Sequence, residues 1–154
     1  MTGAASAASG SAGSALVDAR AAATTALREK ADEVMVLDLR GLAGFTDFFV
    51  IATAGSERRR RTVMDRVERD LRTYRQRKPI HTEGYPAAGW LLADYVDFVV
   101  HVFSPESRAF YRLERLWGDA ARWSPELPAG GEAPAKDEGG ASTVVSADSS
   151  GSPA

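Results

Sequence analysis

The segment Trp90–Trp117, WLLADYVDFVVHVFSPESRAFYRLERLW, decides the fold. Its first half is dense in β-branched and aromatic residues, which suit strands. With Tyr95-Val96 as a two-residue turn, Asp94 lies opposite Asp97, Leu92 opposite Val99, and Trp90 opposite His101. Leu91, Ala93, Phe98, Val100 and Val102 then share one wholly apolar face, which predicts core. The other face carries Trp90, Leu92, Asp94, Asp97, Val99, His101 and Phe103. Two carboxylates and a histidine are unusual on a buried face without partners, so this face is either partly solvated or a binding site. Ser104-Pro105-Glu106 marks a helix start, with serine to cap, proline suited to the first position and an early acid matching the dipole. The helix is expected to end at Leu116-Trp117, with Phe110, Leu113, Trp117 and Ala120 on one stripe.

Working outward, residues 1–14 are low in complexity and expected to be disordered. An Ala-rich helix follows from Leu16 to about Ala31, with Leu16, Ala19, Ala23, Ala26 and Leu27 near one face. Val34–Leu39 and Phe48–Ala54 read as strands, the second apolar on both faces and therefore central. Ser56 is a good cap for a long helix from Glu57 to about Lys78, with Val63, Val67, Leu71 and Tyr74 as its apolar stripe and Pro79 at its end. His81–Glu83 suggests a short edge strand. After Trp123 the periodicity ends, and residues 124–154 read as a disordered acidic tail. The expected architecture is α+β: a single mixed sheet of about five strands with helices packed on it, over residues 15–123.

The 154 residues allow one domain with tails and carry a formal net charge of −2. No cysteine is present, which removes disulfides, thiol nucleophiles and cysteine-held metals. With only His81 and His101, a histidine-rich metal site is not expected either, and no cofactor is implied. There is no apolar run of membrane-spanning length and no secretory signal pattern, so the expectation is a cytoplasmic protein.

Between Ser56 and Lys78, ten basic residues face four acidic ones, while the chain from Ser124 holds five acids and one lysine. The cluster Arg58, Arg59, Arg60 and Arg61 could track phosphates of RNA, or be a solvated helix face. Gly55-Ser56 between strand and helix resembles the start of a nucleotidyltransferase site, but the Asp-x-Asp pair that such enzymes need is absent. Asp94 and Asp97, facing each other, could hold a divalent ion or simply be hydrated. A Ser-His-Asp triad through His101 and Asp97 lacks a Gly-x-Ser-x-Gly elbow. Trp90, Tyr95, Phe110, Tyr111, Leu113, Leu116 and Trp117 crowd one segment; most are expected to be core, with Trp90 or Tyr111 as an anchor of a protein interface.

The chain resembles the ribosomal silencing factor family, RsfS or Iojap. The resemblance rests on Val36–Leu39, Thr46–Ile51, Glu83-Gly84, Trp90–Asp94, Val99–Phe103 and Glu106–Trp117, in order and spacing. It implies a nucleotidyltransferase-like fold without catalytic acids, and no enzymatic activity. It also implies binding to the large ribosomal subunit through its ribosomal protein number fourteen. Subunit joining would be blocked and translation lowered when nutrients are scarce; a metal-dependent nucleotidyltransferase and a large-subunit assembly factor are the alternatives. Carried over to this chain, the partner face falls on Trp90, Leu92, Asp94, His101 and Tyr111, with Leu113 and Trp117 nearby. A homodimer through hairpin or helix surface stays open. The family usually has glycine where this chain has Val96, and a β-branched residue resists the positive φ of a tight primed turn.

Overall fold

The computed structural model describes residues 2–128. The expected acidic tail lies outside these from residue 129 onward. Helix α1 spans Thr2–Arg28, followed by strands β1 (Asp32–Asp38) and β2 (Phe48–Thr53), then helix α2 (Glu57–Arg75). Strand β3 (His81–Tyr85) leads through one 3-10 turn to β4 (Trp90–Asp94) and β5 (Phe98–Phe103). Two short helices, α3 (Pro105–Tyr111) and α4 (Leu113–Leu116), precede a last strand, β6 (Ala121–Trp123).

The sheet is six-stranded, ordered β3-β4-β5-β2-β1-β6. Only β2 and β5 pair in parallel, and every other neighbour is antiparallel. Strand β2 is buried throughout, as an apolar run in a central position requires. One face of the sheet is covered by α1 and α2. Its core joins Ala19, Ala23 and Ala26 of α1 and Val63, Val67 and Leu71 of α2 to Phe48, Val50, Phe98, Val100 and Val102. Small alanines let α1 approach closely. The large residues supply most of the driving force, roughly 1.5–3 kcal/mol for each fully buried side chain.

Ser56 caps α2 by accepting from the Arg59 N–H at 3.0 Å, and Ser104 caps α3 by accepting from Ser107 at the same distance. Helix α2 ends on Gln76 in the left-handed region, before Pro79 is reached. A clamp ties both helices to the hairpin. Asp18 of α1, almost wholly buried, accepts from Arg75 and from Arg77 at 2.6 Å each, and Arg77 also reaches Asp97 at 2.6 Å.

Several expectations are corrected. Helix α1 begins at Thr2 rather than Leu16, because the alanines that make this segment low in complexity are also the strongest helix formers. Tyr74 points to solvent, since only Val63, Val67 and Leu71 of its stripe face the sheet. The final helix is interrupted by Arg112, whose φ of +49° places it in the left-handed region. That break resets the helical phase: Phe110 is 79% exposed, whereas Leu113 and Trp117 pack onto the sheet. Strand β6, three residues long, was not expected; its partner β1 stabilises it, and so short a segment has no alternation to read.

Candidate partner-binding site

The site is built on the sheet face opposite α1 and α2. Strand β4 contributes Trp90, Leu92 and Asp94, and β5 contributes Val99, His101 and Phe103. The observed register pairs Trp90 with Phe103, Leu92 with His101, and Asp94 with Val99. The sequence register is therefore corrected by two residues. A slip of two preserves which side chains share a face, so Trp90, Leu92, Asp94 and His101 do stand together. The cause is a three-residue turn, Tyr95-Val96-Asp97. Tyr95 N–H donates to Phe98 O at 2.8 Å, and Asp97 N–H donates to Tyr95 O at 2.9 Å. This places Val96 at the centre of a γ-turn with φ of +77°. Asp94 Oδ1 accepts from the Val96 N–H at 2.8 Å, which occupies the carboxylate with holding the turn.

Two glycines set the approach of this unit to its neighbours. A Cβ on Gly84, φ +97°, would collide with the carbonyl of Trp90 across the β3–β4 ladder. A Cβ on Gly89, φ +82°, would meet both Ser104 and Ser107 Oγ, and Gly89 O accepts from Ser104 N–H at 2.8 Å. The start of β4 is thereby pressed against the start of α3, which places Trp90 beside Tyr111.

His101 is buried, and its burial pushes the imidazole down to about 3, so it is neutral at neutral pH. Its Nδ1 accepts from Trp90 Nε1 at 3.1 Å. The proton therefore resides on Nε2, which is buried without a hydrogen-bond partner. This histidine fixes the Trp90 indole and packs among rings rather than reaching a partner itself. Phe49 meets His101 edge-on at 4.5 Å, and Phe103 stacks parallel to it at 5.8 Å.

From there the ring contacts run outward in both directions. Trp90 packs on Tyr111 at 4.7 Å, and Tyr111 meets Phe110 edge-on at 5.0 Å. On the other side Phe49 contacts Trp117 and Phe45, which also touch each other at 6.4 Å. Leu92 and Leu113 are half-buried in the same cluster. The outer members Phe45, Phe110 and Tyr111 are exposed, as is Leu116 on α4. The sequence-derived residues thus divide into a buried support, His101, a half-buried middle, Trp90, Leu92, Asp94, Leu113 and Trp117, and one exposed contact, Tyr111. Reading by strand and helix missed Phe45, which lies in the loop after β1. The only available signal was an aromatic residue beside Thr46-Asp47 with no core role. Phe110, taken as core, belongs to the exposed surface.

The arginine cluster separates. Arg60 is buried, with its guanidinium donating to Ala54 O at 2.9 Å, so it is unavailable to RNA. Arg59 donates to Glu29 O at 3.2 Å. Arg58 and Arg61 are exposed, but Arg61 shares a groove with Asp65, Glu68 and Glu83.

The nucleotidyltransferase alternative fails on placement. Gly55-Ser56 follows the C-terminal end of β2, whereas Asp94 and Asp97 precede the N-terminal end of its parallel neighbour β5. Six residues of strand, about 20 Å, lie between them. Asp97 is paired with Arg77 and Asp94 caps the turn.

A mixed sheet with one face left to an exposed aromatic cluster, and with Asp94 and Asp97 engaged in structural bonds, has the form of a binding domain. The family model described as "ribosomal silencing factor during starvation" matches residues 13–150, and the chain belongs to that family, whose members are non-catalytic regulators. It is 39% identical over 95 residues to the ribosomal silencing factor RsfS of Halalkalibacterium halodurans, covering 60% of this chain and 78% of the relative. It is 33% identical over 95 residues to RsfS of Bacillus subtilis, covering 60% and 77% respectively. A crystal structure of a Bacillus halodurans protein superposes with a TM-score of 0.53 at 32% identity, covering 69% of this chain and 93% of that one.

Proposed function

We propose that this chain represses translation by docking its aromatic face on the large ribosomal subunit, through ribosomal protein number fourteen, and excluding the small subunit. The known role of the family is translational repression through large-subunit binding under starvation. The observation that carries the reading to particular residues is the continuous ring cluster, buried at His101 and exposed at Phe45, Phe110 and Tyr111. A rigid aromatic centre with a polar margin is the usual form of a binding hot spot. Such a centre supports affinities from micromolar to nanomolar, about 8 to 12 kcal/mol.

The mechanism is occlusion. The bound domain occupies surface that the small subunit needs, so the two compete for one place and no bond is made or broken. The protein acts in the cytoplasm, where subunits join; consistent with this, no helix among the described residues is long and apolar enough to cross a membrane.

Co-sedimentation with isolated large subunits, small subunits and joined ribosomes tests the reading. The protein is expected to travel with free large subunits and to suppress joining in proportion to the amount added. Trp90→Ala should keep the fold and weaken large-subunit binding at least about tenfold, a loss of about 1.4 kcal/mol or more. Wild-type binding by that variant would move the contact elsewhere, and binding of the native protein to no particle would end the proposal.

A further inference from the structure

A second surface adjoins the aromatic face. Four arginines, Arg108, Arg112, Arg115 and Arg122, line a cavity of about 600 Å³ together with Glu33 and Glu114. They come from three different elements: α3, the α3–α4 junction with α4, and β6. Arg108 forms the buried part. Its Nη1 donates to Thr53 Oγ1 at 2.7 Å and its Nε to Glu114 at 3.2 Å, so one of the two acids is already neutralised.

The other three arginines are exposed. Arg112 Nε donates to Ala109 O at 2.9 Å, and Arg122 Nη2 donates to Glu114 O at 2.8 Å. Each of these contacts uses one N–H of five and fixes the direction of the guanidinium plane, leaving the remaining donors to an outside acceptor. Arg115 has no acidic partner among the described residues. The excess of cations over anions at this cavity calls for an anionic ligand, and several guanidinium forks on one rim suit phosphate oxygens.

We infer that Arg112, Arg115 and Arg122 bind the phosphodiester backbone of ribosomal RNA beside the protein contact made by the aromatic face. The inference rests on the docking reading above. Leu113, packed against the core under the aromatic face, directly follows Arg112, and Leu116 directly follows Arg115, so the two surfaces are continuous. A particle gripped by the ring cluster would meet the arginines at the margin of the same contact. In the first turn of α2, by contrast, Arg60 is buried, Arg59 donates to Glu29 O and Arg61 lies among carboxylates, so that cluster is the weaker candidate for phosphate.

The test uses the full chain carrying Arg112→Gln, Arg115→Gln and Arg122→Gln together, assayed on large subunits across salt and on isolated ribosomal protein fourteen. Loss of three phosphate contacts should flatten the plot of log affinity against log salt by about 3. The advantage of the native protein should then shrink about 40-fold between about 50 mM and about 200 mM salt. Binding to the isolated ribosomal protein should be unchanged, which also shows that the variant is folded. An unaltered salt slope would overturn the RNA contact and leave the docking reading standing. Stabilisation of the native protein, but not the variant, by inorganic phosphate with that same unaltered slope would instead make the cavity a site for a small free anion. Failure of the native protein to bind large subunits would remove both proposals.

Discussion

Val96 holds a conformation that a β-branched residue resists. A positive φ of this kind costs of order 1–3 kcal/mol, and here the Asp94 carboxylate and the Tyr95–Asp97 hydrogen bond compel it. Val96→Gly removes the steric cost but adds freedom to the unfolded chain, worth roughly 0.5–1 kcal/mol. The expected net effect is a gain of about 1 kcal/mol, read as a higher denaturant midpoint at unchanged slope; a lower midpoint would show that the turn carries no strain. His101 sets a different dependence. Its folded value of about 3 lies below the ordinary 6.5, so the folded state favours the neutral ring. The associated stability is complete above pH 6.5 and is lost as pH falls from there toward 3, at up to about 1.4 kcal/mol per pH unit. Denaturation profiles between pH 7 and pH 4 should show this slope in the native protein, and His101→Gln should flatten it. Equal slopes in both would assign the acid sensitivity to carboxylates alone.

Between elements, the Asp18–Arg77–Asp97 clamp holds α1, the end of α2 and the β4–β5 turn in one arrangement. The Arg77 guanidinium also lies over the Phe98 ring at 5.1 Å and donates to Tyr95 O at 3.2 Å. Arg77→Leu leaves Asp97 without this partner and should cost about 2 kcal/mol, below the range for fully buried pairs because both side chains keep some solvent. Chemical denaturation reads this directly, and a change under about 0.5 kcal/mol would class the bridge with ordinary surface pairs. The elements also show what was legible in the sequence. The alternation in Trp90–Phe103 revealed which residues share a face, because that depends only on parity. It could not reveal the offset of the strands, which the turn decides. The caps Ser56 and Ser104 were readable because their geometry is local. The break at Arg112 was not, because no glycine or proline marks it. The inward turn of Arg60 was equally hidden: an arginine among arginines reads as surface until a backbone carbonyl is found to receive it.

Across the whole molecule, the parallel pair β2–β5 separates two ends with different tasks. The end carrying the hairpin turn is secured by ion pairs. The end carrying Trp90 and the start of α3 supports the exposed rings of Phe110 and Tyr111 and borders the arginine cavity. Packing that would otherwise cover the face is confined to Leu113, Trp117 and Ala120 and to the loop after β1, so part of the sheet surface stays available without any rearrangement. Rigid presentation of this kind lowers the entropic cost of association. Fold and face parity were accessible from one segment of sequence; the grouping of the arginines proposed to bind phosphate was not, since Arg122 joins Arg112 and Arg115 only through the pairing of β6 with β1.

That pairing has a consequence for biosynthesis. Strand β1 is made early and pairs on one edge with the next strand, β2, but its other edge is closed only by Ala121–Trp123. While the chain is still emerging, a ladder of unsatisfied amide groups on β1 remains open to any other extended polypeptide. Most of the domain must be translated before its own closing strand arrives. The nascent protein therefore depends, for a short interval, on neighbouring chains being kept apart.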